Sequence, residues 1–151
     1  MLIDKQNQFS DAQTLVINAA TPTASTNIID LGVARDIGGA VTDSLMLLCQ
    51  IGTAFAASGG AAELQVDFQT APDNGSGSPG SWVTLASSGP VAKANLVQGY
   101  KFLQGEPIGP TQRFVRLQYT VTTNAGTAGT ISAALVPSLD VAPVYARGYA
   151  A

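Results

Sequence analysis

The chain has 151 residues, the size of one domain, yet only seven are basic and ten acidic, so 11% of it is charged against the usual quarter. Histidine is absent and Cys49 is the single cysteine, which excludes Ser-His-Asp and Cys-His relays, His-ligated metals, an intrachain disulfide and Cys-rich clusters. The net charge of −3, with the few basic residues scattered, argues against a nucleic-acid surface, and so weakly charged an exterior is expected to lie partly against protein.

In chain order, Met1 to Lys5 carries an acid and no basic region ahead of an apolar stretch, so no signal peptide is expected. Residues 1–12 show no strand period and read as an N-terminal arm. Short strands are predicted at Thr14–Asn18 and Asn27–Leu31, followed by a Gly-rich turn at Asp36–Ala40. Leu45–Cys49 is apolar on both faces and reads as a central strand covered on each side. The apolar run that contains it is broken at Gln50 and falls far short of a membrane span, so no membrane partner is expected. Ile51–Ala57 is the nearest approach to a helix, and Ser58-Gly59-Gly60 has the chemistry of a hairpin turn.

Glu63 to Gln69 alternates strictly between polar and apolar, as does Arg113 to Val121, where Val115, Leu117, Tyr119 and Val121 share one face. Between them lie a flexible Pro72–Gly80 loop, strands at Ser81–Ala86 and Gly99–Leu103, and one possible helical turn at Ala92–Val97. Asn124-Ala125-Gly126 reads as a second hairpin turn before a strand at Ile131–Val136. The pattern is all-β: an antiparallel sandwich or jelly roll of about eight strands. It occupies residues 13–137, with a C-terminal arm over 138–151.

Candidate sites are sparse. Asp73-Asn74-Gly75 has the start of a calcium loop, but Ser76, Gly77 and Ser78 bring no second carboxylate and a structural turn is the better reading. Cys49 stands in the most apolar strand and is expected to be packed rather than nucleophilic. Glu63 and Asp67 share a strand but lie on its wet face. No catalytic residue, metal or cofactor is expected, and the chain is not expected to be an enzyme. Trp82 is either a core anchor or an interface anchor. Arg113 and Arg116 either pair with acids of a neighbouring subunit or face solvent. Tyr145, Arg147 and Tyr149, in the terminal segment, are expected to contact another chain.

The opening Met1-Leu2-Ile3-Asp4-Lys5-Gln6-Asn7-Gln8-Phe9-Ser10-Asp11-Ala12-Gln13 resembles the start of the cement (decoration) proteins of tailed-bacteriophage heads, of the Bordetella-phage type. The resemblance continues loosely through Asn27-Ile28-Ile29-Asp30-Leu31-Gly32, Arg113 to Tyr119, and Tyr145-Ala146-Arg147-Gly148-Tyr149. It implies a non-catalytic, jelly-roll-like protein on the outer face of an assembled capsid in the virion, made in the host cytoplasm. The implied partners are the major capsid protein and further copies of itself, as a dimer or trimer. Arms of that kind add strands to exposed sheet edges. Leu2, Ile3 and Phe9 would be the apolar anchors, with Asp4 and Lys5 available for charge pairing. The alternative is a carbohydrate- or receptor-binding module using Trp82, Tyr100 and Tyr119, which the position of Tyr119 on the apolar face weakens.

Overall fold

A computed structural model describes residues 4–37, 45–103 and 110–137. After a single 3-10 turn at Lys5–Asn7, the strands in order are β1 (Gln8–Thr14), β2 (Thr23–Ala24), β3 (Ile29–Asp30), β4 (Arg35–Asp36), β5 (Leu45–Ala57) and β6 (Glu63–Ala71). They continue as β7 (Val83–Ser87), β8 (Val91–Ala92), β9 (Lys101–Phe102), β10 (Pro110–Thr111), β11 (Phe114–Thr122) and β12 (Gly126–Pro137). A second 3-10 turn, Lys93–Asn95, falls inside the one-turn helix predicted at Ala92–Val97.

Two antiparallel sheets face each other. The first runs β1-β12-β5-β9; the second runs β2-β11-β6-β7, with β3 also on β11 and β8 also on β6. The strict alternation of Glu63–Gln69 and Arg113–Val121 becomes an unbroken nine-residue ladder, from Phe114 opposite Ala71 to Thr122 opposite Glu63. Its dry face brings Leu64, Val66, Phe68, Val115, Leu117, Tyr119 and Val121 against Leu47, Cys49, Ile51, Phe55, Ile131, Ala133 and Leu135 of the other sheet. This interdigitation is what two facing sheets need to exclude water between them. Leu48 points the other way, into a smaller cluster with Ala134 and Val136, so the central strand is indeed apolar on both faces.

Four expectations are corrected. Residues 8–12 are not part of an arm, because Gln8–Thr14 pairs with β12 and its Phe9 is fully buried. Thr14–Asn18 is not a strand of its own. Thr14 ends β1, and the Leu15–Ile17 segment is held by bonds from Leu15 N to Gly129 O (3.0 Å) and from Gly126 N to Ile17 O (2.9 Å). Ile51–Ala57 is not helical, since it prolongs β5 along β12. The Ser58–Gly60 and Asn124–Gly126 turns are not hairpins, because each joins strands that lie in different sheets.

These two turns are arches from one sheet to the other, stacked side by side at the same end of the sandwich. Ser58 N donates to Ala125 O at 3.0 Å. A Cβ added at Gly59 would come within 2.5 Å of the Asn124 side chain, so any larger residue there would have to displace that side chain. The C-terminal arm 138–151 and the Gly38–Ala40 part of the predicted turn lie outside the described residues.

Candidate interaction surface

The ion pairs of Arg113 lie at the opposite end of the second sheet from the arches. There β11 begins beside β3 and the Pro72–Gly80 loop. Arg113 donates through Nε to Asp30 Oδ1 (2.9 Å) and through Nη2 to Asp30 Oδ2 (2.8 Å). Its Nη1 reaches Asp73 Oδ2 at 2.5 Å. A planar guanidinium matches a carboxylate edge to edge, which makes such forked pairs the stronger kind. The Arg113 hydrogen bonds, helped by the Gly32 amide, lower the Asp30 carboxyl to about 2.

Asp73 is held locally as well. Its Oδ1 accepts from the amides of Gly75 and Gly77, both at 2.9 Å. Asn74 accepts from Ser76 in the same manner. Desolvation raises the Asp73 carboxyl, but these amides and the Arg113 charge outweigh it and leave it below its ordinary value. The loop is therefore a turn built by its own side chains, and among the described residues no His/Cys/Asp/Glu group is placed to hold a metal. A shallow cleft of about 320 Å³ opens between Val33, Pro72 and Arg113.

Arg116 is different. It lies on the outward face of β11, directly across from Gln69 of β6. Its guanidinium carbon stands 4.1 Å from the ring centroid of Trp82, a cation–π contact. Nε donates to Gln69 Oε1 at 2.9 Å, Nη2 donates to Gln118 Oε1 at 3.4 Å, and Gln69 Nε2 in turn donates to Thr84 Oγ1 at 3.2 Å. Trp82 is half-buried and belongs to no core cluster, so it anchors the outer face of the sheet rather than the interior. Beside it on the terminal strand β7, Val83 is 58% exposed and Leu85 41%. Among the described residues both ion pairs belong to Arg113; Arg116 has only neutral amides and an aromatic ring.

The remaining candidates separate clearly. Asp4 and Lys5 are exposed, and Asp4 caps the first 3-10 turn by accepting from Gln6 N at 3.0 Å. Phe9 is not available as a surface anchor, since it packs edge-on against Phe68 with ring centroids 6.0 Å apart. Leu2, Ile3, Tyr145, Arg147 and Tyr149 lie outside the described residues. Cys49 is buried and its thiol is pushed up by desolvation, which opposes nucleophilic use. Tyr119 is fully buried and its hydroxyl sits 2.8 Å from Ser10 Oγ. Ser10 donates on to Gln13, which also accepts from Thr26. This chain of hydrogen bonds satisfies polar atoms inside the sandwich.

Sequence reasoning missed Asp30, Gln69 and Gln118 as partners. Asp30 and Asp73 lie 83 and 40 positions from Arg113, so no local signal pairs them. The one readable sign is the Asp-Asn-Gly of the loop, which marks Asp73 as a turn residue.

A sequence profile of the Bbp16 family matches residues 9–135. The chain belongs to that family, a Bordetella-phage protein family, which points to a phage-related virion protein. No curated protein matches the chain.

Proposed function

We propose that this protein is a capsid cement: it binds the outer surface of a tailed-phage head and clamps neighbouring major capsid subunits, without catalysis. The observation that carries this reading is the family match, which spans both sheets of the sandwich. The sparse charge adds support, since a component surrounded by protein needs fewer ions than a free monomer. Repetition over many equivalent sites lets a modest interface hold a large shell, because each bound copy adds its own contribution.

The carbohydrate-binding alternative is less well supplied. Tyr119 is buried, Tyr100 packs edge-on against Phe102 at 5.1 Å, and one face of Trp82 is occupied by Arg116. The test is to mix purified protein with capsids that lack it. Stoichiometric, saturable binding and a higher temperature of capsid disruption are expected. Failure to co-sediment with capsids at any ratio rejects the proposal.

A further inference from the structure

We infer that the Arg116–Trp82 face is the seat for an acidic side chain of the capsid partner, which presents its carboxylate to the guanidinium. This inference rests on the cement reading and names the chemistry of its contact.

The contrast between two arginines on one strand carries it. Arg113 has its charge met by Asp30 and Asp73. Arg116, three residues further on, forms no ion pair with a carboxylate among the described residues, and its Nη1 donates to none of them. The acid nearest in register is Asp67, which faces Gln118 rather than Arg116. Its carboxylate takes the Gln65 amide at 2.9 and 3.1 Å.

A part-buried guanidinium with neutral neighbours keeps its full attraction for an incoming anion. It is also oriented in advance: Trp82 fixes the plane, while Gln69 and Gln118 hold two of the nitrogens. Little conformational freedom remains to be lost on binding, which favours affinity. Arginine and tryptophan are the residue types that dominate protein interfaces, and they do so from partly desolvated positions ringed by apolar contacts. On β7 the residue that shares this face is Thr84, opposite Gln69, whereas Val83 lies opposite Thr70 and so stands on the other face. The terminal strand β7 has no further strand beyond it in its sheet, so an approaching segment meets no obstruction from the sheet itself.

The experiment compares wild type, R116Q and R116K for binding to capsids lacking the protein, across a salt series, with thermal unfolding measured alongside. Wild-type affinity should fall with salt. R116Q, folded, should bind at least about tenfold more weakly with a shallower salt slope, as expected when one partner of a desolvated charge pair is removed. R116K should fall between them, because ammonium keeps the charge but loses the forked geometry. Equal binding and equal salt slopes for wild type and R116Q overturn the inference and leave the cement reading standing. Absence of wild-type binding at every salt concentration rejects both. If R116Q does not fold, the wild-type salt series decides alone, and an affinity independent of salt overturns the inference.

Discussion

Arg113 holds β11, β3 and the Pro72–Gly80 loop through two carboxylates, which gives those acids an effect on stability that a lone surface carboxylate lacks. An unfolded aspartate ionises near about 3.9, whereas folded Asp30 does so at about 2, first through its hydrogen bonds to Arg113 and then through Gly32. A carboxyl depressed by folding contributes stability that is complete above its unfolded value and disappears as pH falls through its folded one. The urea midpoint of the wild type should therefore decline as pH drops from about 4 towards about 2. Asp30→Asn should start lower at neutral pH and show a smaller decline over that window. Equal slopes for the two proteins would show that the fork does not couple to folding. The arginines themselves stood out in the sequence; their partners did not, because only the fold brings together residues so far apart in the chain.

Among the elements, β6 and β11 were legible almost to their ends because each has one wet and one dry face along its whole length. β1 was not. Its pairing with β12 slips between Gln8 and Ser10 and again between Ser10 and Gln13, so the period of two that marks a strand is broken twice. Half of β5 was obscured for another reason. Ile51 to Ala57 is rich in alanine, and the ladder with β12, closing at Ala57 opposite Gly126, imposes the extended form.

Both elements can be probed by single substitutions. Phe9→Ala should destabilise the fold by about 3–5 kcal/mol, the usual effect of emptying an aromatic site in a core, as read by denaturant unfolding. An effect near zero would return this residue to the arm. At Gly126, a Cβ would land on the carbonyl oxygen of Leu15 and press on the Phe55 ring. Gly126→Ala should therefore destabilise by about 1–3 kcal/mol or more through forced backbone shifts. Gly60, where an added Cβ meets nothing within 4 Å, is the matched control, and Gly60→Ala should be close to neutral.

At the scale of the whole molecule, one cluster of buried side chains joins both sheets, so the sandwich should unfold as a unit. Its polar exterior relies on Ser, Thr, Gln and Asn more than on charge, and the aliphatics that stand more than half exposed among the described residues, Val16, Val33, Val83 and Val97, are spread along the chain. Such singly exposed residues are ordinary on soluble proteins. What distinguishes this surface is the oriented Arg116, a feature that composition cannot reveal because it depends on which acids the fold brings near and which it keeps away.

The pairing of β1 with β12 has a consequence for how the chain is made. Ala12 donates its amide to Ser132, 120 positions later, so β1 is made long before the strand it pairs with. Sheets dominated by such distant pairings fold on the slow side, in about milliseconds to seconds. Nascent chains halted before β12 should remain open to protease, with Phe9 unsheltered, while chains released in full become resistant. Resistance before β12 is synthesised would mean that β1 finds another partner first. Completion of the sandwich is in this way tied to the synthesis of β12.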